Sequence, residues 1–183
     1  MEAMPPFLLG MRMSEKDSLF SILLPHLPSL IQSVLILAGV IVAVVSIASA
    51  RKTARKKQTA DLLLSSRADK DSVNGLRCLA RLDGAENENL GSYASRDKDD
   101  TDAAVAIRYV LNHWEYVCVG IQSDIYDEEM LKRASYNTVV RLFQCARPFI
   151  EKLRQNTGRP TLYQELEWLY NRWEKSGPPA KKE

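Results

Sequence analysis

The sequence predicts an all-α protein in which a single N-terminal transmembrane helix is followed by a small antiparallel helical bundle. Three observations support this fold class. Residues 29–50 form an uncharged apolar run, a group of basic residues follows at once, and three later segments carry apolar residues at helical spacing. No window alternates apolar and polar residues in the manner of a strand, so no sheet is predicted.

The charge of the chain is unevenly distributed. Its 183 residues have a formal net charge of +2. Residues 51–57 carry five basic groups and no acid, whereas residues 58–183 carry eighteen basic and twenty acidic groups. A general nucleic-acid binder needs Lys and Arg spread over a face. We therefore expect no nucleic-acid partner.

The apolar run SLIQSVLILAGVIVAVVSIASA covers residues 29–50. A helix of this length spans about 33 Å, enough for a hydrocarbon layer of ~30 Å. A buried core helix and a cleaved signal peptide, with Ala48-Ser49-Ala50 as its cleavage site, are the alternatives. The run is longer than a usual signal-peptide core and the preceding stretch is not positively charged, so we predict a membrane-spanning helix.

A basic cluster follows the apolar run and predicts its orientation. Lys and Arg concentrate on the cytoplasmic side of a span. Residues 1–28 are therefore expected to be a short outward-facing segment and the rest of the chain to be cytoplasmic, in a bacterial inner membrane. The lipid bilayer is then the first partner, and the cluster is a candidate membrane-surface site: Arg51, Lys52, Arg55, Lys56 and Lys57.

The cytoplasmic part divides into a basic juxtamembrane helix at 51–70, a bundle at 71–176 and a flexible tail at 177–183. Within the bundle, Asp71 is the predicted cap of a helix ending at Gly84, and residues 84–102 read as an acidic, mobile loop. Three more helices are predicted at 102–123, 127–156 and 160–176, the second kinked or split at Pro148. A coiled-coil dimer is the alternative to the bundle, and Gly39 and Ala43 allow association through the span.

The chain lacks the recognisable motifs of catalytic chemistry. It contains no phosphate loop, dinucleotide fingerprint, nucleophile elbow or zinc-protease motif. Its three cysteines have no short spacing, and a Ser-His-Asp arrangement would depend on His113 alone. We expect no cofactor, no metal and no catalytic residue, and we favour a protein that is not an enzyme.

Two groups of residues remain as candidate sites. Helical spacing places Arg108, Asn112 and Glu115 on one stripe, where they could form a polar cluster with Arg147 of the next helix. Surface ion pairs or structural hydrogen bonds are the competing interpretation. The last helix offers a partner surface if its aromatic residues are exposed: Trp168, Tyr170 and Trp173.

The stretch from Ala106 to Trp173 resembles a domain-of-unknown-function family, "forty-seven sixty", of small bacterial and phage proteins. The matching positions are Leu111, Asn112 and Glu115 in the pattern LN-x-x-E, the acidic turn Asp127-Glu128, and the aromatic-rich segment from Trp168 to Trp173. The resemblance implies one N-terminal membrane helix followed by a cytoplasmic helical domain. It carries no catalytic motif and implies no established activity, and a role in prophage or host–phage biology enters only as an association.

These observations lead to one main hypothesis and two alternatives. The main hypothesis is a single-span membrane protein whose cytoplasmic bundle recruits or senses another protein, or associates with itself. One alternative is a membrane-tethered enzyme or small-ligand sensor that uses the polar cluster on helix 102–123. The other is an oligomeric membrane scaffold.

Overall fold

The computed structural model describes residues 27–85 and 89–180, and within these ranges the chain is helical with no strand. The five α-helices are α1 (Leu27–Ala68), α2 (Lys70–Asp83), α3 (Asp102–Gln122), α4 (Glu128–Thr157) and α5 (Gln164–Ser176). Two short 3-10 helices, Leu90–Ala94 and Arg96–Lys98, lie between α2 and α3. The predicted outward-facing segment 1–28 falls almost entirely outside the described residues.

Helix α1 begins with an uncharged, largely apolar stretch. Pro28 lies in its first turn, where its missing N–H costs no hydrogen bond. An 18-residue window of the helix has a mean hydropathy of 2.7, and none of that window is buried. By length and composition this helix could cross a membrane. Within the described residues, the apolar side chains of that window have no protein core around them, unlike those of a buried core helix.

The chain divides into two compact units between Arg51 and Lys52. The second unit, Lys52–Glu183, therefore includes the last turns of α1. Thr59 is buried there, and Leu62 and Leu63 pack against the core. The sequence placed the start of the bundle at residue 71, but residues 52–68 supply part of its wall.

The end of α1 runs antiparallel to α3 within the second unit. Near its start, Thr59 Oγ1 accepts a hydrogen bond of 2.7 Å from the backbone N–H of Asp127, which follows α3. Near its end, Ser66 Oγ lies 3.1 Å from His113 Nε2 in the middle of α3. Side-chain contacts thus tie both ends of this segment to the bundle.

The N-cap of helix α2 lies two residues before the one predicted from the sequence. Asp69 is the N-cap, and its Oδ1 accepts hydrogen bonds from the N–H groups of Asp71 (3.0 Å) and Ser72 (3.3 Å). Asp71 lies in the first turn instead. Gly75 brings α2 close to α3, since a Cβ there would stand 2.5 Å from the carbonyl oxygen of Ala106.

The described part of the predicted acidic loop contains two short 3-10 helices, at Leu90–Ala94 and Arg96–Lys98. Asn89 caps its first 3-10 helix through a 2.9 Å bond from the N–H of Gly91. Leu90 and Ala94 are buried in the core, and Asn156 of α4 donates to the carbonyl oxygen of Ala94 at 3.0 Å. Two buried apolar residues and one hydrogen bond therefore hold this part of the acidic stretch against the bundle.

Helices α3, α4 and α5 supply most of the core. Helix α4 passes through Pro148 without interruption, so the predicted split does not occur. Helices α4 and α5 are antiparallel, because Arg154 bonds Glu167 at 2.8 Å while Arg172 bonds Glu128 at 2.7 Å. The largest fully buried side chains include those of Trp173, Phe143, Phe149, Leu79, Ile107 and Leu111.

Candidate functional site

Arg108, the first member of the predicted polar cluster, contacts Asp99 in the segment before α3. Its guanidinium forms an ion pair with the Asp99 carboxylate and donates to the Asp99 carbonyl oxygen at 3.0 Å. It also lies 5.8 Å from the centre of the Phe149 ring. These contacts hold the segment before α3 on the bundle. The Arg108 guanidinium is thus already paired within the protein.

Glu115 caps helix α5. Its carboxylate oxygens accept hydrogen bonds from the backbone N–H groups of Glu165 (3.3 Å) and Leu166 (2.8 Å). The first N–H groups of a helix have no partner within the helix, so this carboxylate satisfies two of them. Burial raises the pKa of Glu115, and the two backbone hydrogen bonds oppose that shift.

The remaining two cluster members lie apart from these. Asn112 is exposed on the outer side of α3. Arg147 lies on α4, with its guanidinium 5.6 Å from the Phe143 ring centre and 5.9 Å from that of Tyr170. The four residues predicted to converge therefore do not form a common pocket. Glu115 and Arg108 fix the fold, and the predicted polar cluster is not assembled.

The aromatic residues of α5 do not form the predicted surface. Trp173 is fully buried, and its indole N–H donates to Glu128 Oε1 at 3.2 Å. Tyr170 is also buried and stacks on Phe143 with ring centres 4.6 Å apart. Trp168 is half-buried. The last helix is short and packed between α3 and α4, so its aromatic side lies in the core.

An exposed apolar stripe lies on α3 instead. Its residues follow alternating steps of four and three, and we call them the outer stripe of α3: Val105, Tyr109, Asn112, Tyr116 and Val119. Tyr116 is 75% exposed, Val105 54%, Val119 45% and Tyr109 42%. The same spacing that marked the buried side of α3 also marks this side. This second periodic set was not predicted from the sequence, although its spacing is visible there.

The basic cluster on α1 is divided by the structure. Arg55 Nη2 forms a 3.0 Å ion pair with Asp124 and a 3.4 Å hydrogen bond to the carbonyl oxygen of Tyr126. Arg51, Lys52, Lys56 and Lys57 are exposed. One of the five cations thus holds the bundle to α1, and four project from it.

A polar group at the junction of α1, α2 and α3 includes the one histidine of the second unit. His113 Nε2 lies beside Ser66 Oγ, while the nearby Asp69 carboxylate accepts from Tyr109 Oη at 3.0 Å and caps α2. Burial lowers the pKa of His113, although the charge of Asp69 acts against that shift. Asp69 has no hydrogen bond to the imidazole, so the Ser-His-Asp relay of a hydrolase is not formed.

The described residues contain no group of three or more His, Cys, Asp or Glu side chains positioned to hold a metal ion. Cys78, Cys118 and Cys145 are buried free thiols. Burial raises the pKa of Cys145, and the carboxylate of Asp83, which accepts the thiol hydrogen at 3.1 Å, raises it further. The Cys145 thiol is therefore a poor nucleophile at neutral pH.

Comparison with known proteins bears on the whole arrangement. The model of one protein family, "Domain of unknown function (DUF4760)", matches residues 33–173, which include most of the apolar stretch and the bundle through Trp173. Searches of curated proteins and of solved structures gave no match. Because the family model covers well over half of the 183 residues, the chain belongs to the DUF4760 family, whose function is unknown.

Proposed function

We propose that this protein is a membrane-anchored interaction module whose cytoplasmic bundle binds a helix of another protein along the outer stripe of α3. The first part of α1 serves as the anchor. The exposed cations at 51, 52, 56 and 57 favour a cytoplasmic location for the bundle, because basic residues resist translocation. They also suit contact with anionic headgroups at the bilayer surface.

The outer stripe of α3 is the observation that carries the proposal. Isolated exposed apolar residues are ordinary on a soluble protein, but several of them on one helix face are typical of a binding surface. Two of the four apolar members are tyrosines, a residue type enriched at energetically important positions of interfaces. Most other large apolar residues of α3 are buried, so the exposed row is not a sign of a poorly packed helix.

The dimensions of the stripe suit a helical partner. From Val105 to Val119 it extends over fourteen residue steps, about 21 Å along the helix axis. One side is bordered by the end of α1, through Ser66 and His113, and the other by the start of α5, through Glu115. An amphipathic helix laid between two such borders is a common recognition mode, with anchors at steps of three and four.

Site-specific photocrosslinking in the native host tests the proposal. A photoreactive phenylalanine analogue replaces Tyr116 in the full-length protein, and the adducts formed on illumination are sized and identified by mass spectrometry. We expect a discrete adduct with a second protein. We also expect Val119→Glu in the same chain to abolish it, because a carboxylate in the stripe would be desolvated on binding.

Glu151 is the matched control position, since it is exposed on α4 away from the stripe. The analogue at 151 should give no adduct of the same mass. Equal crosslinking from positions 116 and 151, or none from either, would contradict the proposal. An adduct of two copies of this chain would replace the partner protein by self-association and overturn the recruiting role.

The location of the bundle requires its own measurement. Spheroplasts that express a C-terminally tagged chain are treated with protease before and after lysis. Membranes from a separate sample are washed with alkali. A membrane-retained tag that is protected until lysis would support the anchored, cytoplasmic arrangement. Digestion of the tag in intact spheroplasts, or its release by the wash, would contradict that arrangement.

A further inference from the structure

Two adjoining cavities lie between α2 and α4. The first has a volume of about 210 Å³ and is lined by Leu76, Leu79, Ala80, Thr138, Arg141, Leu142 and Cys145. The second, of about 490 Å³, is lined by Asp83, Asn137, Val140, Arg141, Gln144 and Cys145. The two share Arg141 and Cys145. Together they form a cleft that the polar cluster and the outer stripe of α3 do not touch.

The smaller cavity has the character of a binding site for an apolar group. Its walls are formed mainly by Leu76, Leu79 and Leu142. Apolar cavities of roughly 150 Å³ bind benzene in preference to water. The 210 Å³ here is large enough for an aromatic ring or a short alkyl chain, and it opens to solvent beside the exposed Ala80 and Arg141.

Arg141 gives the cavity a specific charge. It is the one charged residue among the described residues lining the smaller cavity, and it is exposed. It forms no ion pair with another described residue, whereas Arg55, Arg108, Arg133, Arg154 and Arg172 all do. Arg141 and Cys145 both lie at the wall that the two cavities share.

Asp83 is the one acidic residue among the described residues that line the cleft. Asp83 lines the larger cavity, and its Oδ2 accepts the hydrogen of the Cys145 thiol at 3.1 Å. Arg141 lines the same cavity and forms no ion pair with this carboxylate. A planar guanidinium with free donors binds carboxylates with two parallel hydrogen bonds. Apolar walls beside such a group suit a ligand with both an apolar body and a carboxylate.

We infer that the cleft between α2 and α4 binds a small carboxylic acid, whose aromatic or short alkyl body fills the Leu-lined cavity while Arg141 binds its carboxylate. The inference does not depend on the proposed partner helix, because the cleft shares no residue with the outer stripe of α3. It would give the bundle a ligand in addition to a protein partner.

Fluorine NMR of 4-fluorobenzoate tests the inference with the full-length protein in lipid nanodiscs. The neutral 4-fluorobenzyl alcohol serves as a second probe of similar shape. We expect saturable binding of 4-fluorobenzoate, and at least a tenfold weaker affinity in Arg141→Gln. The affinity for the neutral probe should change less than twofold in that variant, because only the charge-assisted hydrogen bonds are lost.

Two further variants separate the cavity from the charge and from general effects. Ala80→Leu should abolish binding of both probes, since Ala80 is exposed at the cavity and a larger side chain fills it without entering the core. Arg147→Gln is the matched control, because Arg147 is an exposed arginine of the same helix outside the cleft. Undiminished binding of 4-fluorobenzoate to Arg141→Gln, equal weakening in Arg147→Gln, or no saturable binding to the wild-type protein would overturn the inference.

Discussion

The outer stripe of α3 and the aromatic side of α5 look alike in the sequence, yet the first is exposed and the second is buried. Each carries two aromatic residues at helical spacing, Tyr109 and Tyr116 on α3 and Tyr170 and Trp173 on α5. On α3, Tyr109 and Tyr116 are exposed, whereas on α5, Tyr170 is buried and Trp173 is completely enclosed. The aromatic residues expected to bind a partner therefore hold the fold together, and those not singled out form the surface.

The difference comes from the number of sides each helix presents. Helix α5 has thirteen residues and one apolar side, which packs on α3 and α4. Helix α3 has twenty-one residues and two apolar sides, and the core covers only one of them. Aromatic content thus does not identify an interface. An additional apolar side, beyond the one the core requires, is the informative feature.

The largest expected effect concerns the buried side of this comparison. Trp173→Ala should lower the free energy of unfolding by about 3–5 kcal/mol, because a fully enclosed aromatic side chain leaves a cavity. Its stacking on Tyr136 and its hydrogen bond to Glu128 would be lost as well. Urea denaturation of the detergent-solubilised chain, followed by circular dichroism, measures the change. A loss below about 0.5 kcal/mol is the range of surface substitutions. It would place Trp173 at the surface, so that α5 would no longer be the buried counterpart of the outer stripe.

The next effect concerns the covered side of α3. Gly75→Ala should destabilise the fold by about 1–3 kcal/mol, because the new Cβ would lie 2.5 Å from the carbonyl oxygen of Ala106 and 2.8 Å from the Val110 Cβ. Alanine is the better helix former by about 1 kcal/mol, which opposes the loss but does not cancel a clash with backbone. The melting temperature of the variant relative to Gly84→Ala, where a Cβ meets no atom closer than 3.5 Å, measures the effect. An increase in stability would show that α2 and α3 are farther apart.

A third prediction uses the border between α1 and α3. Burial lowers the pKa of His113 below its ordinary 6.5, so the unfolded chain takes up this proton at higher pH than the folded one. The stability that the neutral His113 gives to the folded state is therefore fully present above about pH 6.5. It is lost as the pH falls below that value. The urea midpoint of the wild type should decrease more than that of His113→Gln between about pH 7.5 and about pH 5.5. Glu115 titrates in both chains, and burial raises its pKa, so the difference between them isolates His113. Equal decreases would mean that His113 is solvated and that α1 does not cover this edge of the stripe.

The smallest expected effect on stability concerns the exposed side. Tyr116→Ser should change the free energy of unfolding by less than about 0.5 kcal/mol, because the side chain is 75% exposed. Thermal denaturation measures it, with Tyr170→Ser as the buried counterpart. A loss as large as that of Tyr170→Ser would assign Tyr116 to the core and remove the main support for the binding surface.

Most of the fold could be predicted from the sequence, because periodicity and capping are local signals. Helices α3, α4 and α5 lie within a few residues of their predicted bounds, and Asp127 caps α4 at the predicted acidic turn. The predicted family and the all-helical fold are also confirmed. The prediction of a split at Pro148 was wrong, since α4 continues through this residue.

The candidate site was harder to predict, because its residues depend on which helix lies opposite which. The spacing that placed Arg108, Asn112 and Glu115 on one stripe is real, but Arg108 binds a loop, Glu115 caps α5 and Asn112 faces outward. The cleft between α2 and α4 left no local signal at all. Its two walls are separated by more than fifty residues, and only their packing brings Arg141 beside Leu76 and Leu79.

The hydrogen bond from the Asp127 N–H to Thr59 has a practical consequence for anyone who wishes to excise the folded part of this protein. A fragment that starts at residue 71, where the bundle seemed to begin, would leave an amide at the head of α4 without its acceptor and expose the surface beneath Leu62 and Leu63. A fragment that starts at Lys52 keeps both. The right place to cut is therefore directly after the apolar run, inside an unbroken helix rather than in a loop.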